Sequence, residues 1–576
     1  MTRYPALESP EMKLHDTVGH ALARGLKRHG VSHIFGQSLP SLLFLAGLNE
    51  GITQIAYRQE NAGGYMADAY ARLTGKPGIV TAQNGPAATL LVPPLAECLK
   101  SAVPVIALVQ DVNRAETDRN AFQEYDQVAL FTPCAKWVRK VTDAARLQDY
   151  IDMAFIAACS GVPGPAVLLL PFDFLLSKEA VKETRVASLG HYPLDRPTAD
   201  YEKVEEAAAL IAGAARPVVF AGGRIRAANA AHELAALQDE FSLPIFTTVM
   251  GKGAVDERHP LSGGVLTNFT GPNGMARYMK TMAQEADLVI LIGTRVSQNG
   301  TESWTLYPEK AKYIHIDVEP MDVGRNYESL RLVGDIERTI KALRLALVKQ
   351  DTSLRLSNRP GLEKFMAEAK AKHLQESQAV RLSAATPIRP ERVMEELNKR
   401  LNAHSIVVTD ASYSSIWAAN YLTCLKAGMR FVIPRGISGL GWGFPMAIGA
   451  RVAFPEAPVY CIVGDGGFAH VWGELETVMR AHIKVVLIVL NNGILGYQKH
   501  AENWRYGAHT NAVNFQEVDH AGIARCCGLN GIRVSDPAQL AEALQQADKA
   551  DKTTLIEVIC DEKAYPPLSF LNPVED

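Results

Sequence analysis

Short apolar runs, glycine-rich turns and helix-like segments alternate along the whole chain. In the C-terminal third, the run Val459 to Val463 leads into Gly464-Asp465-Gly466-Gly467, a turn that bulky side chains could not make. A helix-like segment follows from about Val471 to Ala481, and a second apolar run, Val485 to Leu490, ends at Asn491-Asn492-Gly493. This order of strand, turn, helix and strand predicts a βαβ unit whose strands end at one edge of a parallel sheet.

The same order of elements recurs elsewhere in the chain. In the first third, the run Ile79 to Gln83 leads through Asn84-Gly85-Pro86 into a helix-like segment and then into a second run, Val103 to Val109. The repeat is structural rather than literal, and it predicts that the first and last domains share a fold. Between them, further apolar runs predict a separate α/β region with strands at 217–221, 288–292 and 313–318.

The chain is long enough for several domains, since 576 residues exceed the usual size of one. We predict an α/β protein of three Rossmann-like domains, each with a parallel sheet flanked by helices. A polar, proline-bearing stretch at 184–200 and a charged, partly helical stretch at 350–388 separate them. The predicted boundaries are 1–190, 191–350, a linker at 351–388, and 389–576.

Composition argues against several classes of partner. Apolar residues make up 47% and charged residues 21% of the chain, as in ordinary globular proteins. With 59 basic and 62 acidic residues the net charge is −3, which gives no reason to expect nucleic acid or an anionic membrane. No apolar run approaches a membrane span, and the N-terminus lacks a signal-peptide core. Eight scattered cysteines without zinc spacing predict reduced thiols in a cytoplasmic protein.

The ends of the two C-terminal strands carry groups that suit a metal and a phosphate. Asp465 offers a carboxylate oxygen and Asn492 an amide oxygen, and both follow strands that end at the same edge of the sheet. Gly466 and Gly467 expose backbone N–H groups at a helix start, which suits a phosphate. Oxygen ligands beside a diphosphate describe a Mg²⁺ site. A plain glycine-rich turn in a Rossmann-like domain is the alternative interpretation.

The sequence GDG, about two dozen residues, and then NN resembles the signature of thiamine-diphosphate-dependent enzymes. This resemblance implies that Asp465 and Asn492 bind Mg²⁺ through their side chains and Ile494 through its backbone carbonyl, with Gly466 and Gly467 at the diphosphate. It also implies that 1–190 is a pyrimidine-binding domain, 191–350 a central domain and 389–576 a diphosphate-binding domain.

Glu60 precedes a helix-like stretch, AGGYMADAYARLTG, that is similar to a family segment following a functional glutamate. The resemblance implies that Glu60 hydrogen-bonds the pyrimidine ring of thiamine. A carboxylate that shares a proton with the ring nitrogen promotes the imino tautomer, whose neighbouring nitrogen can deprotonate the thiazolium carbon. On the residues alone, Glu60 could instead be a helix-start acid stabilised by the helix dipole.

Two further segments of the last domain resemble parts of the cofactor site. The loop at 410–414 corresponds to one that touches the diphosphate, with Ser412 in place of the usual glycine and Tyr413 beside it. The segment GISGLGWGFP at 436–445 resembles the stretch under the bent cofactor, which implies that Leu440 is its apolar wedge and that the carbonyl near Ser438 accepts the aminopyrimidine N–H. An ordinary core leucine is the alternative for Leu440.

Over nearly its whole length the chain is most similar to the acetohydroxyacid (acetolactate) synthase branch. The stretch AFQE contains Gln123, which the resemblance places near the substrate, and Gln498 follows the metal loop, where it could orient a carboxylate or carbonyl. On the residues alone, Gln123 could be a surface polar residue and Gln498 a supporting one. Gly222-Gly223 and Arg295 are compatible with a dinucleotide such as FAD, but Asn299 stands where a second arginine would be, which argues against FAD.

The resemblance implies a carboligase or decarboxylase that acts on a 2-keto acid, most simply pyruvate to acetolactate plus CO₂. It also implies a homodimer or homotetramer with active sites between subunits. A 2-hydroxyacyl-CoA lyase, or a sulfoacetaldehyde acetyltransferase whose QNGP stretch is similar to Gln83 to Pro86, remains an alternative, as does a non-catalytic homologue. The sequence does not name the donor or acceptor substrate.

Overall fold

Three six-stranded sheets, each parallel throughout, make up the protein in a computed structural model that describes residues 16–569. This confirms the predicted α/β class. In the first domain the strand order is β2-β1-β3-β4-β6-β5. Its strands are β1 His33–Phe35, β2 Thr53–Ile55, β3 Gly78–Ala82, β4 Val105–Asp111, β5 Trp137–Lys140 and β6 Ala166–Pro171. Its helices are α1 Val18–Arg28, α2 Ser41–Asn49, α3 Glu60–Thr74, α4 Pro86–Leu90, α5 Val92–Ser101, α6 Gln127–Phe131, α7 Leu147–Cys159 and α8 Phe172–Leu176.

The central domain has the strand order β12-β11-β10-β7-β8-β9, which is the 3-2-1-4-5-6 order of dinucleotide-binding folds read from the other edge. Its strands are β7 Pro217–Ala221, β8 Ile245–Thr247, β9 Ser262–Val265, β10 Leu288–Ile292, β11 Lys312–Asp317 and β12 Leu330–Val333. Its helices are α9 Tyr201–Gly213, α10 Arg224–Ala227, α11 Ala231–Glu240, α12 Lys280–Gln284 and α13 Ile336–Leu347.

The last domain repeats the topology of the first, with the order β14-β13-β15-β16-β18-β17. Its strands are β13 Ile406–Thr409, β14 Arg430–Val432, β15 Val459–Gly464, β16 Val486–Asn491, β17 Asn530–Val534 and β18 Thr554–Ile559. Before it come α14 Ser353–Glu376 and α15 Gln378–Arg381. Its own helices are α16 Pro390–Asn398, α17 Tyr413–Tyr421, α18 Gly443–Ala453, α19 Asp465–Phe468, α20 Glu474–Arg480, α21 Gly496–Tyr506, α22 His520–Cys526 and α23 Leu540–Lys549.

The structure differs from the sequence predictions mainly at element boundaries. The run predicted to start at Val103 becomes a strand only at Val105, because Ala102 is left-handed and Pro104 has no N–H to donate. The stretch 351–388 is largely the helix α14, and Met366 and Ala369 of this helix are buried in one apolar cluster with residues of the central sheet. No described helix is long and apolar enough to cross a bilayer.

The first and last domains of one chain pack together through α3 and α18. Tyr65 of α3 stacks on Trp442, just before α18, with ring centroids 4.4 Å apart. The two helices approach so closely that a Cβ added at Gly449 would lie 2.1 Å from the carbonyl oxygen of Met66. Glycine at position 449 is therefore what permits the backbones to touch, and the two sheets are joined by one continuous apolar core.

Two buried glutamates, one from each domain, accept backbone N–H groups of the other domain across this interface. Glu97 of α5, in the first domain, accepts the backbone N–H groups of Gly436 and Ile437 at 2.8 and 2.6 Å. Burial alone would raise the pKa of Glu97, but Arg72 and the donated N–H groups hold it below its usual value. Each glutamate thus fixes a loop of the opposite domain.

Glu474 is the reciprocal contact, at the start of α20 in the last domain. It accepts the backbone N–H groups of Arg58 and Gln59, each at 3.1 Å. These two residues lead directly into Glu60, the first residue of α3. The segment that carries Glu60 is therefore anchored to the last domain of its own chain, a few residues beyond the Asp465 turn.

We expect Gly449→Ala to destabilise the joined first and last domains. The added methyl group meets backbone rather than a flexible side chain, so overpacking should lower the free energy of unfolding by about 1–3 kcal/mol. Calorimetric unfolding measures the change. Gly213→Ala is the matched control, because nothing lies within 4 Å of a Cβ at that helical glycine. Equal stabilities for Gly449→Ala and the parent protein would contradict the close packing of α3 and α18.

Candidate active site

A cavity of about 450 Å³ opens at the carboxyl ends of β13, β15 and β16. The strand order of this sheet reverses at β13, whose neighbours are β14 on one side and β15 on the other. Parallel sheets bind ligands in the crevice that such a reversal opens. The cavity collects predicted site residues of the last domain, namely Ser412, Tyr413, Ser438, Leu440, Asp465, Gly466, Gly467, Asn492, Ile494 and Gln498.

Asp465 and Asn492 lie on the wall of this cavity at the ends of adjacent strands. Asp465 is 6% exposed and accepts the backbone N–H of Gly493 at 2.9 Å. Burial raises the pKa of Asp465 to about 6, and the donated N–H groups offset only part of this effect. A cation beside the carboxylate would supply the missing counter-charge and lower that pKa. The oxygen donors of Asp465 and Asn492 are those that Mg²⁺ prefers.

Gly466 and Gly467, in the turn after β15, are closely surrounded by other residues. A Cβ at Gly467 would lie 2.1 Å from a carboxylate oxygen of Asp410, and a Cβ at Gly466 would lie 2.8 Å from the ring of Phe515. A side chain at either position would therefore collide with a neighbour, so this turn requires glycine at both 466 and 467. This glycine turn lies next to a buried carboxylate that has no cation partner within residues 16–569, and it fits a metal-bound diphosphate.

Asp410 holds the opposite wall of the cavity in place. Its buried carboxylate accepts the N–H groups of Gly441 and Trp442 at 2.9 and 3.0 Å. This contact fixes the glycine-rich segment that carries Ser438 and Leu440. Leu440 is absent from the buried core and lines the cavity, so the alternative of an ordinary core leucine does not describe it.

Two serines on the cavity wall adopt strained backbone conformations. Ser412 has φ +65° and Ser438 has φ +64°, a region that favours glycine. Ser412 stands where the resemblance led us to expect glycine, and its backbone keeps the shape of a glycine position. Non-glycine residues in this region cost about 1–3 kcal/mol each and cluster at ligand sites.

Glu60 and Gln123 do not line this cavity. Gln123 lies at the carboxyl edge of the first sheet, where its side-chain oxygen accepts from Gln83 at 2.9 Å and its carbonyl accepts from Asn84 at 3.0 Å. Glu60 is the first residue of α3, the helix that follows β2 of the same sheet. One chain therefore carries two separate groups of site residues, one at the edge of each repeated domain.

Comparisons with known proteins agree with this arrangement. The chain matches three family models, described as the N-terminal TPP binding domain, the central domain and the C-terminal TPP binding domain of thiamine pyrophosphate enzymes, at residues 16–130, 204–343 and 410–558. A probable acetolactate synthase large subunit from Methanococcus aeolicus is 30% identical, over 96% of this chain and 94% of its own length.

The chain belongs to the thiamine-diphosphate-dependent enzymes, in the acetolactate synthase-like branch. An acetolactate synthase from Arthrospira platensis is also 30% identical, over 96% of this chain and 95% of its own. The acetolactate synthase isozyme 2 large subunit of Escherichia coli (strain K12) is 28% identical, over 94% of this chain and 95% of its own length. The family supplies thiamine diphosphate as the cofactor, and the cavity at β13, β15 and β16 has the residues to hold it.

Sequence reasoning missed several residues of this site. Arg435 lines the cavity although no motif drew attention to it. The hydroxyl of Tyr413 and Nδ1 of His500 share a hydrogen bond of 2.7 Å. The ring of His500 stacks on that of Tyr565 with centroids 4.8 Å apart, so an aromatic cluster packs behind the cavity wall. The position of Arg435, one residue before the glycine-rich segment, was a usable signal. The aromatic cluster had none, because its members come from three distant segments.

A second hollow, of about 840 Å³, lies against the central domain. Gly223 follows β7 and Arg295 follows β10, and both line it at the point where the strand order reverses. The acid at the end of β11, Asp317, is buried, and one of its carboxylate oxygens pairs with Arg224 at 2.7 Å. The hollow suits a nucleotide by its position, but we assign no cofactor to it.

Proposed function

We propose that this carboligase joins two 2-keto acid molecules, with the conversion of pyruvate to acetolactate and CO₂ as the first reaction to test. The observation that carries the proposal is the single cavity that brings Asp465, Asn492, Ser438 and Leu440 together at the end of the last sheet. The names of relatives such as the Methanococcus aeolicus protein support acetolactate as the product.

We further propose that Mg²⁺ completes the cofactor site. The side chains of Asp465 and Asn492 and the backbone carbonyl of Ile494 would hold the metal, and Gly466 and Gly467 would face the diphosphate. The raised pKa of Asp465 supports this, since no lysine or arginine in the described part of the chain forms an ion pair with the carboxylate. Ser412 and Tyr413 would flank the diphosphate from the end of β13.

Asp465→Asn should abolish Mg²⁺-dependent binding of thiamine diphosphate. The amide keeps the shape of the carboxylate but removes its charge, so we expect affinity to fall at least about 100-fold, the upper range for lost support at a metal site. Titration calorimetry with and without Mg²⁺ measures this. Asp561→Asn is the control, because this acid also lines the cavity but lies outside the proposed metal set. Unchanged affinity in Asp465→Asn would remove Asp465 from the metal site.

Bound thiamine diphosphate supplies a carbanion equivalent that adds to a carbonyl group and takes up the electrons released when CO₂ leaves. The protein provides position and electrostatics. Leu440 would support the bent cofactor, and the Ser438 carbonyl would accept its amino N–H. Glu60 would share a proton with the pyrimidine ring nitrogen. Gln123 and Gln498 would lie near the substrate, although each is already hydrogen-bonded, to Gln83 and Glu502.

We propose that a second copy of the chain completes each site. Glu60 begins α3 in the first domain, and its segment is anchored by Glu474 rather than turned into the cavity that holds Asp465. Glu60 and Gln123 of one copy would then face the metal loop of the other, in a homodimer or a homotetramer. The eight cysteines, all free thiols, are consistent with the reducing cytoplasm we propose as the location.

Glu60→Gln should leave cofactor binding nearly intact and slow turnover. General acid–base assistance contributes about 10²–10⁴-fold, so CO₂ release from pyruvate should fall by about that factor. Steady-state assays of CO₂ and of acetolactate, with calorimetry for the cofactor, test this. Glu50→Gln, at the end of α2 in the same domain, is the matched control.

The same assay decides among reaction types. Turnover of a CoA thioester or a requirement for phosphate, without turnover of any 2-keto acid, would contradict the proposal and indicate a lyase or an acetyltransferase. Binding of cofactor without any turnover would indicate a non-catalytic homologue. Full activity in Glu60→Gln would remove Glu60 from the chemistry.

A further inference from the structure

Two buried carboxylates hold the glycine-rich segment 436–443, one at each end. Glu97 of the first domain binds the start of the segment, where it accepts the N–H groups of Gly436 and Ile437 at 2.8 and 2.6 Å. Asp410 of the last domain binds the end of the segment through three successive backbone N–H groups. Residues 438–440, which we call the bridge, therefore lie between two anchors that belong to different domains.

The bridge presents Ser438 and Leu440 to the cofactor cavity. Ser438 has φ +64°, a conformation that is unfavourable for most residues other than glycine and persists only where the surrounding contacts enforce it. Its N–H lies 3.5 Å from Glu97, which also binds the two N–H groups before it. Successive backbone N–H groups around one anion form an anion-binding concavity. The carboxylate of Glu97 therefore helps to enforce the strained backbone of Ser438.

Glu97 is itself fixed in place and ionised by groups of the first domain. Its side chain is fully buried, and it accepts from Nη2 of Arg72 at 3.0 Å and from the hydroxyl of Ser101 at 2.7 Å. Arg72 is held in turn by Asp68 of the same helix, α3. Burial raises the pKa of Glu97, but Arg72, Ser101 and the two N–H groups outweigh burial and hold that pKa below its usual value. Hydrogen bonds to an ionised acceptor are stronger than those to a neutral one.

The contact between Glu97 and the segment is closely packed on the side of the segment as well. A Cβ added at Gly436 would lie 2.6 Å from a carboxylate oxygen of Glu97 and 2.6 Å from the hydroxyl of Ser101. Glycine at position 436 therefore allows the backbone to reach the carboxylate. The contact can be loosened from either partner, by removing the charge of Glu97 or by adding a methyl group at 436.

We propose that Glu97 is a positioning residue, which holds the Ser438 carbonyl and the Leu440 side chain where they support the bent cofactor for proton loss from its thiazolium carbon. This inference rests on the cofactor contacts of Ser438 and Leu440 given under the proposed function. Glu97 belongs to the first domain of the same chain. The first domain of each copy thus acts, through Glu97, on the site in the last domain of its own copy.

Removing the charge of Glu97 should separate reactivity from affinity. The N–H groups of the segment lose their ionised acceptor, so Ser438 relaxes from its strained conformation and moves its carbonyl. A misplacement of about 1 Å can cost about 100-fold in a reaction that depends on position. The diphosphate, in contrast, is placed at the Asp465 turn, which Glu97 does not hold. Cofactor affinity should therefore change much less than proton loss from the thiazolium carbon.

The test compares the parent protein with Glu97→Gln, Glu97→Asp and Gly436→Ala. Asp68→Asn is the matched control, because Asp68 binds the same arginine from its own helix. Mass spectrometry measures amide hydrogen exchange of the segment 434–440 in the cofactor-free protein. Calorimetry measures binding of thiamine diphosphate in the presence of Mg²⁺. At saturating cofactor, quenched-flow NMR measures exchange of the thiazolium proton, and steady-state assays measure CO₂ release from pyruvate.

In Glu97→Gln and Gly436→Ala we expect amide exchange of the segment to become at least about tenfold faster. Cofactor affinity should fall less than about tenfold, the range for one lost hydrogen bond. Thiazolium proton exchange and kcat should fall together by about 10- to 100-fold, with KM for pyruvate little changed. Glu97→Asp keeps the charge on a shorter side chain and should recover part of the proton exchange. Asp68→Asn should lower stability but match the parent in both exchange rates.

Three results would overturn the inference. Unchanged amide exchange in Glu97→Gln would show that other contacts hold the segment. Faster amide exchange with parent-like thiazolium proton exchange would leave Glu97 a structural role alone. Equal slowing in Asp68→Asn would assign the effect to a general loss of stability.

Two further outcomes have their own readout. If Glu97→Gln does not fold, Gly436→Ala and Glu97→Asp decide by the same measurements. If the parent releases no CO₂ from any 2-keto acid, the proposed function fails, whereas amide exchange and thiazolium proton exchange still decide whether Glu97 positions the bridge.

Discussion

The packing of α3 against α18 within one chain is the constraint on which the rest of this structure depends. It joins the two repeated domains through one apolar core, and Glu97 and Glu474 reinforce it by binding backbone N–H groups of the opposite domain. Because both contacts lie at loops that lead into site residues, they fix the glycine-rich segment of one domain and the Glu60 segment of the other. The same contacts keep the two groups of site residues apart on a single chain.

The site itself carries unfavourable features that a ligand would relieve. Asp465 is buried with a raised pKa, Ser412 and Ser438 have backbones with positive φ, and Arg435 forms no ion pair with any carboxylate of residues 16–569. Each costs stability in the free protein, and a bound cofactor with its proposed cation would offset part of that cost. Binding should therefore stabilise this fold by mass action, and the surrounding core supplies the stability that the site gives up.

The sequence predicted those elements and site residues whose signal lies in a short local segment. Periodicity and glycine turns predicted the three parallel sheets, and the bounds of β7 and β10 match the predicted strands. Asp465, Asn492 and Leu440 could be found because their spacing and glycine neighbours are local signals. The aromatic cluster around His500 could not be found, because its members come from distant segments, and Arg435 was overlooked although it directly precedes the glycine-rich segment. The roles of Glu97 and Glu474 were equally hidden, since a buried glutamate that binds the backbone of another domain leaves no local pattern.

The most direct test of the two-chain site is a complementation measurement. Glu60→Gln and Asp465→Asn chains, each inactive alone, are co-expressed with different tags and the mixed dimers are isolated. If each site takes Glu60 from one copy and Asp465 from the other, a mixed dimer holds one doubly altered site and one intact site, and should show about half the activity per dimer of the parent. Activity no higher than that of the single variants would mean that both residues serve the same site from one chain, and would contradict this account.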